Sequence, residues 1–343
     1  MSKLKAAWVV LAFAGAVGAL SPASAQNTPL FSGGGGFLTS TAKGNTTYQP
    51  ILEPMAAAPI GPHLLLESRA LLVEIVTPNG QGGYEHTHFA GLTYLQGDYL
   101  ANPHLTVVGG SYILPFGTYN ERLSPVWINN FQDGPLIAPL GLQSTGTGVG
   151  GELRGSVIDR DRYSIDYTTW FSARSGNTQF DAQRSVGGRS SLYLHDQGLE
   201  TGFSFDRGLQ GTRENFLGLH VWWEPKETAF RLRSEFAQGE HARGYWIEAD
   251  YRTQALGGPE SWSGRFEPLF RIQQTFRRNA SGSDGLPSVD LQRADFGLDY
   301  NLPHNMRILT SYSRQFASTG NENIWETGIV YRLLFPAWKG KGK

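Results

Sequence analysis

The 343-residue sequence contains no cysteine. Without cysteine the chain can form no disulfide, and it cannot carry the lipid that lipoproteins attach to a cysteine at their cleavage site. Lysine is scarce as well, because between Lys43 and Lys339 the only lysine is Lys226, although the whole sequence holds 22 arginines. Almost every cation of the folded part is therefore an arginine, whose planar guanidinium suits fixed ion pairs better than an ammonium group does.

The sequence also lacks an apolar run long enough to cross a membrane as a helix, which takes about 20 residues. The longest such stretch, residues 6–20, follows Lys3 and Lys5 and precedes Ala23-Ser-Ala25, the order typical of a signal peptide. We therefore predict that residues 1–25 are a cleaved signal peptide and that the protein is exported. The mature chain would hold 27 basic and 30 acidic residues, a net charge of −3, so no nucleic-acid partner is expected.

Catalytic motifs are missing too. There is no Gly-x-Ser-x-Gly elbow, no His-Glu-x-x-His pair and no Gly-Lys-Ser/Thr phosphate loop. His86 and His88 would share one face of a strand, but no third ligand follows in a metal-site pattern, so an interface or wall role is favoured. We predict no enzyme activity, no catalytic residue, no metal and no cofactor; a dyad between distant strands, as in a barrel protease or phospholipase, stays an open alternative.

Residues 26–62 show no sustained hydrophobic period. Gly33 to Gly36 form a glycine run, and four prolines interrupt the remainder of the segment. A glycine-rich run can bind phosphate, but Lys43-Gly44-Asn45 supplies neither the Gly-Lys-Ser/Thr continuation nor a helix start. We predict that residues 26–62 are a flexible periplasmic arm.

From residue 63 onward the hydrophobic pattern has a period of two, and glycine, proline, asparagine and aspartate separate the runs, as is typical of antiparallel strands. The pattern predicts fourteen strands: 63–76, 85–99, 104–116, 148–158, 162–174, 187–195, 198–206, 215–224, 228–237, 244–253, 265–277, 291–301, 305–316 and 324–335. A bacterial barrel closed on itself has an even number of strands. We therefore predict an all-β fold over residues 63–335, a transmembrane up-and-down antiparallel β-barrel of about 14 strands, with 12 to 16 as the range. Residues 336–343 would form a basic tail.

Several of these strands are apolar on one face and polar on the other. The apolar face comprises Leu199, Phe203, Phe205, Leu217, Leu219, Val221, Trp223, Phe230, Leu232, Phe236, Tyr245, Ile247, Ala249, Tyr251, Ala294, Phe296, Leu298 and Tyr300. The alternate face comprises Glu200, Ser204, Asp206, Arg231, Arg233, Glu235, Glu248, Asp250, Arg252, Asp295 and Asp299. We interpret the first set as lipid-facing and the second as lumen-facing. Aromatic girdles at the two membrane interfaces would contain Trp222, Trp223, Tyr245, Tyr251, Tyr300, Tyr312 and Tyr331.

The connections differ in length. Those at 159–161, 196–197, 225–226 and 302–305 are tight, whereas 117–147, 254–264, 278–290 and 317–323 are long or rich in glycine and serine. Tight turns on the periplasmic side and long loops outside are the arrangement expected of a barrel in the outer membrane.

Three segments resemble phosphate-selective porins and related bacterial porin-like barrels. They are Leu114-Pro-Phe-Gly117, the run from Asp295 to Arg314, and the closing strand Glu326 to Phe335, in which Ile329, Tyr331, Leu333 and Phe335 alternate with Val330, Arg332 and Leu334. The resemblance implies a pore for small anions, homotrimeric in many members and lined in some by arginine and lysine ladders. This chain lacks the lysines, so phosphate selectivity is not implied.

Two groups of charged residues are candidates for the site. The long segment 117–147 is too long for a simple turn, so it either folds into the pore and sets its width or packs as an ordinary loop. Mixed-sign charges on the strands either line the pore or brace its wall as ion pairs, and the two roles are compatible. The candidate pore-lining or constriction residues are Glu121, Arg122, Asp133, Arg231, Arg233, Glu235, Glu248, Asp250, Arg252 and Arg271.

The sequence thus predicts a porin-like channel of the cell outer membrane for passive diffusion of small hydrophilic solutes or ions. Its expected partners are outer-membrane lipids, small polar solutes and the barrel-assembly machinery, which would bind the C-terminal strand; a homotrimer is one option. Two alternatives remain: a plugged structural or adhesive barrel, and a secreted soluble β-sandwich that acts as a binding protein.

Overall fold

Sixteen antiparallel strands form one closed barrel in the computed structural model, which describes residues 29–137, 146–174, 183–211, 213–258, 260–279 and 286–336. The strands are β1 Leu30–Ala42, β2 Asn45–Ile60, β3 Leu64–Pro78, β4 Tyr84–Asn102, β5 Leu105–Ile113, β6 Thr147–Asp159, β7 Tyr163–Ala173, β8 Ser185–Leu194, β9 Leu199–Gly208, β10 Asn215–Trp223, β11 Phe230–Gln238, β12 Ala242–Tyr251, β13 Phe266–Arg277, β14 Leu291–Leu302, β15 Met306–Ala317 and β16 Glu322–Pro336. Each strand pairs with its neighbours in the sequence, and β16 pairs with β1 to close the sheet.

The helices of the described residues are short. They are α1 (Tyr119–Arg122), α2 (Gln254–Gly257) and a 3-10 turn (Ser263–Arg265). In the described ranges no helix has the length and apolar character needed to cross a membrane.

The expected all-β up-and-down barrel is confirmed, and each of the fourteen expected strands is present. The strand number is 16, at the upper limit of the predicted range. The prediction of a flexible arm over residues 26–62 is wrong, because residues 30–42 and 45–60 form β1 and β2. The expected signal peptide and residues 337–343 of the expected tail lie outside the described residues.

Glycines and prolines interrupt the hydrophobic alternation of β1 and β2, so the sequence did not predict these strands. Each of the two residue types has a structural reason. Trp127 lies against the inner face of Gly34, where an added Cβ would be 2.5 Å from the indole Cε3. Proline has no amide N–H to donate, and the pairing of β2 with β3 is interrupted at Pro50 and Pro54. Pairing of the same two prolines with β1 continues, so the barrel stays closed.

The two faces of the barrel differ as the alternation predicts. Phe203, Leu219 and Phe296 are about half exposed on the outside, whereas Asp295 and Asp299 are fully buried inside. Aromatic pairs lie on the outer face near both ends of the strands, with ring centroids 4.9 Å apart for Phe266 and Tyr300 and 4.6 Å apart for Tyr312 and Trp325. The assignment of Trp222 to a girdle is wrong: its ring lies inside the barrel, 4.5 Å from the Arg233 guanidinium.

The two ends of the barrel are defined by the connections. The turn end holds the start of β1, the end of β16 and the connections that follow β2, β4, β6, β8, β10, β12 and β14. The opposite, loop end holds the connections that follow β1, β3, β5, β7, β9, β11, β13 and β15. The expectation that all long connections share one end is wrong for 254–264, which lies at the turn end and contains α2.

The close contact between β1 and β16 leaves no room for a side chain at Gly36, which can be tested. A Cβ there would lie 2.7 Å from the Ile329 carbonyl oxygen and 2.9 Å from Val330 Cγ1. We expect Gly36→Ala to lower the free energy of unfolding by about 1–3 kcal/mol, the usual cost of overpacking. The measurement is the temperature at which the purified barrel loses its compact, heat-modifiable gel band.

Gly109→Ala is the matched control. Gly109 is also a strand glycine, but its Cβ would meet no atom within 4 Å. Equal unfolding temperatures for the two variants would contradict the tight β1–β16 contact.

Candidate functional site: a charged passage beside an internal loop

The connection between β5 and β6 folds into the barrel. Its described part, residues 114–137, is named the internal loop here. Pro115 ends the pairing of β5, and Gly117, with φ of +67°, redirects the chain inward. The side chain of Glu235 passes so close that a Cβ on Gly117 would lie 2.9 Å from its carboxylate oxygen. The Pro-Phe-Gly segment noted in the sequence therefore marks the point where the chain enters the lumen.

Apolar side chains fill much of the lumen around the internal loop. One buried cluster contains Tyr112, Leu114, Phe116, Tyr119, Leu123, Ile137, Trp170, Phe216, Ala237 and Trp246. A second, on the β1, β15 and β16 side, contains Leu38, Val126, Trp127, Leu309 and Val330. The internal loop contributes to both clusters, so it crosses the barrel and has an apolar core of its own.

Glu235 on β11 anchors the start of the internal loop. Its carboxylate accepts hydrogen bonds from the Thr118 amide, from Thr118 Oγ1 at 2.7 Å and from the Tyr119 amide at 2.9 Å. Trp246 Nε1 donates to the other carboxylate oxygen at 3.3 Å. This candidate residue therefore holds α1 in place and is largely shielded from the lumen.

The far half of the internal loop is held by three strands spread around the barrel. Val126 donates its amide to Glu53 at 2.9 Å, and Asn130 Nδ2 donates to Glu248 at 2.8 Å. Asp133 forms an ion pair with Arg293 at 3.0 Å, and half of its side chain stays exposed. These bonds reach β2, β12 and β14, so the loop is attached across the full width of the barrel.

A dense set of ion pairs lies behind the internal loop, on the wall formed by β11 to β14. Arg231 pairs with Asp250 and Glu267, and Arg233 lies 3.6 Å from Glu248. Arg271 is fully buried, donates to Asp295 at 2.9 Å and lies under the ring of Phe131. The structure thus brings five candidates together, Arg231, Arg233, Glu248, Asp250 and Arg271. The internal loop contacts three of them, through Asn130 on Glu248 and Asp250 and through Phe131 on Arg271.

A separate, open passage lies on the other side of the internal loop. It contains a cavity of about 280 Å³ between α1 and strands β5 to β9. A second cavity of about 670 Å³ opens at the turn end. Thr106 and Arg154 line both cavities, so the two are adjacent, between the turn end and α1.

Three arginines line this passage, and each pairs with a carboxylate on a strand or on α1. Arg122 binds Glu200 through two hydrogen bonds of 2.7 and 2.9 Å. Arg154 pairs with Asp98 and lies 3.8 Å from Glu152. Arg189 pairs with Glu121 of α1.

In two of the three pairs the arginine is the more exposed partner. The side chains of Arg122 and Arg154 are 37% and 38% exposed, whereas those of Glu200, Asp98 and Glu152 are 13%, 7% and 3% exposed. The order is reversed for Arg189 and Glu121, at 12% and 25%. The passage therefore exposes the guanidinium groups of Arg122 and Arg154, beside acids that also line it.

Sequence reasoning found Glu121 and Arg122 of this passage but missed Arg154, Arg189, Asp98 and Glu152. The missed residues lie on β4, β6 and β8, where glycines such as Gly150 and Gly151 weaken the hydrophobic alternation. Leu153, whose side chain is 44% exposed on the outer face, is the one local signal that its neighbour Arg154 points inward.

Arg252 lies apart from the other candidates. It lines a cavity of about 430 Å³ at the turn end, together with Arg265, Glu267 and His304.

The histidines do not form a catalytic or metal site in the described residues. His220 Nε2 lies 3.3 Å from Ser191 Oγ and 3.4 Å from Glu200 Oε1, so serine and carboxylate share one ring nitrogen. A catalytic triad needs the carboxylate on the other nitrogen. His86 contacts Glu74 at 2.8 Å on the outside of the barrel. In the described ranges no group of three or more histidine, aspartate or glutamate side chains could hold a metal ion.

Comparison with solved structures identifies the fold. OmpF of Salmonella typhi, in complex with daunomycin, is 11% identical over 90% of this chain and 98% of its own, with a TM-score of 0.61. A loop deletion mutant of OmpT, an outer membrane protein of Vibrio cholerae, is 9% identical over 90% and 100% of the two chains, with a TM-score of 0.58. An anion-selective porin of Comamonas acidovorans is 11% identical over 89% and 99%, with a TM-score of 0.56.

The chain therefore has the fold of bacterial outer-membrane porins, and the porin-like barrel expected from the sequence is confirmed. No protein-family model and no curated protein sequence matches the chain.

The anchoring role of Glu235 predicts the effect of its removal. Glu235→Ala leaves the amides of Thr118 and Tyr119 without their charged acceptor, and each such bond contributes about 1.5–3 kcal/mol. We expect α1 to detach and trypsin to cleave the folded barrel after Arg122 much faster than it cleaves the wild type.

Glu227→Ala, at an exposed turn, removes the same charge and should leave the cleavage rate unchanged. Resistance to trypsin in Glu235→Ala equal to that of the wild type would rule out the anchor.

Proposed function

We propose that the protein is a porin-like channel of the outer membrane, through which small hydrophilic solutes or ions diffuse passively. The observation that carries the proposal is the open passage beside the internal loop, lined by Arg122, Arg154 and Arg189, within a closed porin-type barrel. A channel needs a continuous polar path, of which these adjacent cavities would form the part near the turn end, and its charged groups act on the solutes that enter it.

The outer surface supports a location in a membrane. Apolar residues cover the outside of the strands, and aromatic pairs lie near both ends, as in barrels that span the outer membrane. In the proposed orientation the turn end, with the start of β1 and the end of β16, faces the periplasm. Lipids then surround the barrel, and the assembly machinery would recognise β16; a homotrimer remains an expectation.

The charged residues have two proposed roles. Those behind the internal loop, including Arg231, Arg233 and Arg271, hold the loop and wall together, because they are buried and paired with carboxylates. Those along the passage meet the solute, because they keep more than a third of their side-chain surface exposed in the case of Arg122 and Arg154.

The proposed channel prefers small anions. Guanidinium groups with exposed N–H donors attract anions, and the neighbouring carboxylates reduce this field without removing it. The proposal concerns anions as a class, since nothing along the passage is arranged around one particular solute.

A plugged barrel is the second candidate function, and the apolar core of the internal loop favours it. The loop is attached at β2, β11, β12 and β14, so it could block most of the lumen in a structural or adhesive protein. The closed barrel excludes the β-sandwich considered from the sequence.

Replacing the internal loop tests the channel. Leu114 donates its amide to the Gly146 carbonyl at 3.0 Å, and Ile113 pairs with Thr147, so the two strand ends already face each other. Residues 115–145 can therefore be replaced by a two-residue Asn-Gly turn. We expect discrete conductance steps from the wild type in a planar bilayer and larger steps from the loop variant.

Silence from the wild type together with steps from the loop variant would support the plugged barrel instead. If neither protein conducts while both barrels stay folded on a gel, the result would rule out the channel and any other function in which solutes pass through the lumen.

Ion selectivity tests the arginines of the passage. In an Arg122→Gln/Arg154→Gln variant, two exposed positive charges are lost while the acids beside them remain. We expect the reversal potential in a potassium chloride gradient to shift toward cation preference, with a several-fold fall in the anion-to-cation permeability ratio.

Arg243→Gln is the control, because Arg243 is exposed on the outer face of β12 and does not line the passage. It should keep the selectivity of the wild type. A reversal potential unchanged in the double variant would show that solutes do not follow this path.

A further inference from the structure

The outer face of β9 to β16 carries an unusual selection of charged residues. Its strand positions hold three arginines, Arg207, Arg243 and Arg314, and no lysine, aspartate or glutamate. The register fixes their orientation, because Arg243 pairs with Phe276 and Arg314 pairs with Ala294 on the lipid-facing side of the sheet. These three residues are named the outer arginines.

The outer arginines lack the partners that the lumen arginines have. Within the described residues none of the three lies within 4.0 Å of a carboxylate, and their contacts are neutral. Arg243 lies over the Phe276 ring at 5.4 Å and Arg314 over the Phe316 ring at 5.5 Å. Arg207 donates to the Asn215 side chain at 2.7 Å. Each guanidinium is thus held in place and keeps its charge uncompensated.

All three lie at the loop end. Arg207 is the last residue but one of β9, Arg243 is the second residue of β12, and Arg314 lies three residues before the end of β15. Successive outer arginines are three strands apart, or about 14 Å across the sheet. Phe205, Tyr245 and Tyr312 lie next to them on the same face, on the side of the apolar band.

We propose that the outer arginines form a binding belt for the phosphate groups of anionic lipids in the leaflet around the loop end. Charge complementarity carries the inference, because arginine presents a fork of N–H donors that matches a phosphate, and this part of the outer face offers no acid to compete. The proposal rests on the membrane location of the proposed function, but it does not depend on conduction through the lumen.

The test compares lipid headgroups in mixed micelles. Anything that binds only the folded state raises the unfolding temperature. We expect phosphatidylglycerol, but not phosphatidylcholine, to raise that temperature for the wild type. In an Arg207→Gln/Arg243→Gln/Arg314→Gln variant the phosphatidylglycerol concentration for half the rise should increase roughly a hundredfold, since each arginine near an anionic surface contributes about fivefold.

Two further variants separate binding from damage to the fold. A triple Arg→Lys variant at the same positions keeps the charge and should keep most of the response. A variant with Arg160→Gln, Arg162→Gln and Lys226→Gln removes three exposed cations from the turn end and should respond as the wild type does. Bilayer conductance of the triple Gln variant should equal that of the wild type, which separates this inference from the channel.

Three results would overturn the belt. The first is an equal response to phosphatidylglycerol in the wild type and the triple Gln variant, and the second is an equal loss in the turn-end variant. The third is the same rise in unfolding temperature from inorganic phosphate alone, which would assign the arginines to free anions instead of lipid headgroups.

Discussion

Hydrogen bonding between β1 and β16 closes the sheet, and the other features of the molecule depend on that closure. A barrel leaves no strand edge with unpaired amide and carbonyl groups, which neither lipid nor an apolar lumen could satisfy. Thirteen residue pairs connect the two strands, from Leu30 with Pro336 to Ala42 with Ile324. Because the seam is complete, the barrel interior has a fixed width, and a long connection can fold into it without opening the wall.

The internal loop turns that fixed interior into two different environments. On one side, its residues pack against the ion pairs of β11 to β14, and buried arginines such as Arg271 are surrounded by carboxylates and an aromatic ring. On the other side, Arg122 of α1 and Arg154 of β6 line the same cavity. Both environments contain charges of both signs. The exposure of each charged group therefore distinguishes a structural ion pair from a group that lines the passage.

The sequence predicted the barrel well where the alternation was undisturbed. Fourteen strands were found because residues such as Leu217, Leu219 and Val221 alternate with polar or small ones. The alternation failed at β1 and β2, where Gly34 makes room for Trp127 and where Pro50 and Pro54 interrupt the pairing with β3. Both features depend on neighbours distant in the sequence, so no local pattern could have shown them.

The candidate site was only partly predictable for a related reason. Alternation shows that Arg231, Arg233 and Glu248 face inward, but it cannot show that Asn130 of the internal loop binds Glu248. It also could not show that Glu235 binds the start of the loop, because a buried anchor and a pore-lining acid have the same position in the strand. Glu121 and Arg122 were found because they belong to the loop itself, whose length pointed to a role inside the barrel.

Arginine occurs in three settings here, and the scarcity of lysine follows from a property common to all three. Behind the internal loop, Arg293 contacts Asp133, Asp295 and Glu326 at once, which a planar group with five N–H donors can do and an ammonium on a flexible stem does poorly. Along the passage, Arg122 uses two donors on Glu200 and leaves others exposed. On the outer face, Arg243 and Arg314 lie over phenylalanine rings. In each setting a contact of the guanidinium group fixes the position of the charge. The settings differ in whether a carboxylate lies within reach, and the function of the charge differs with it.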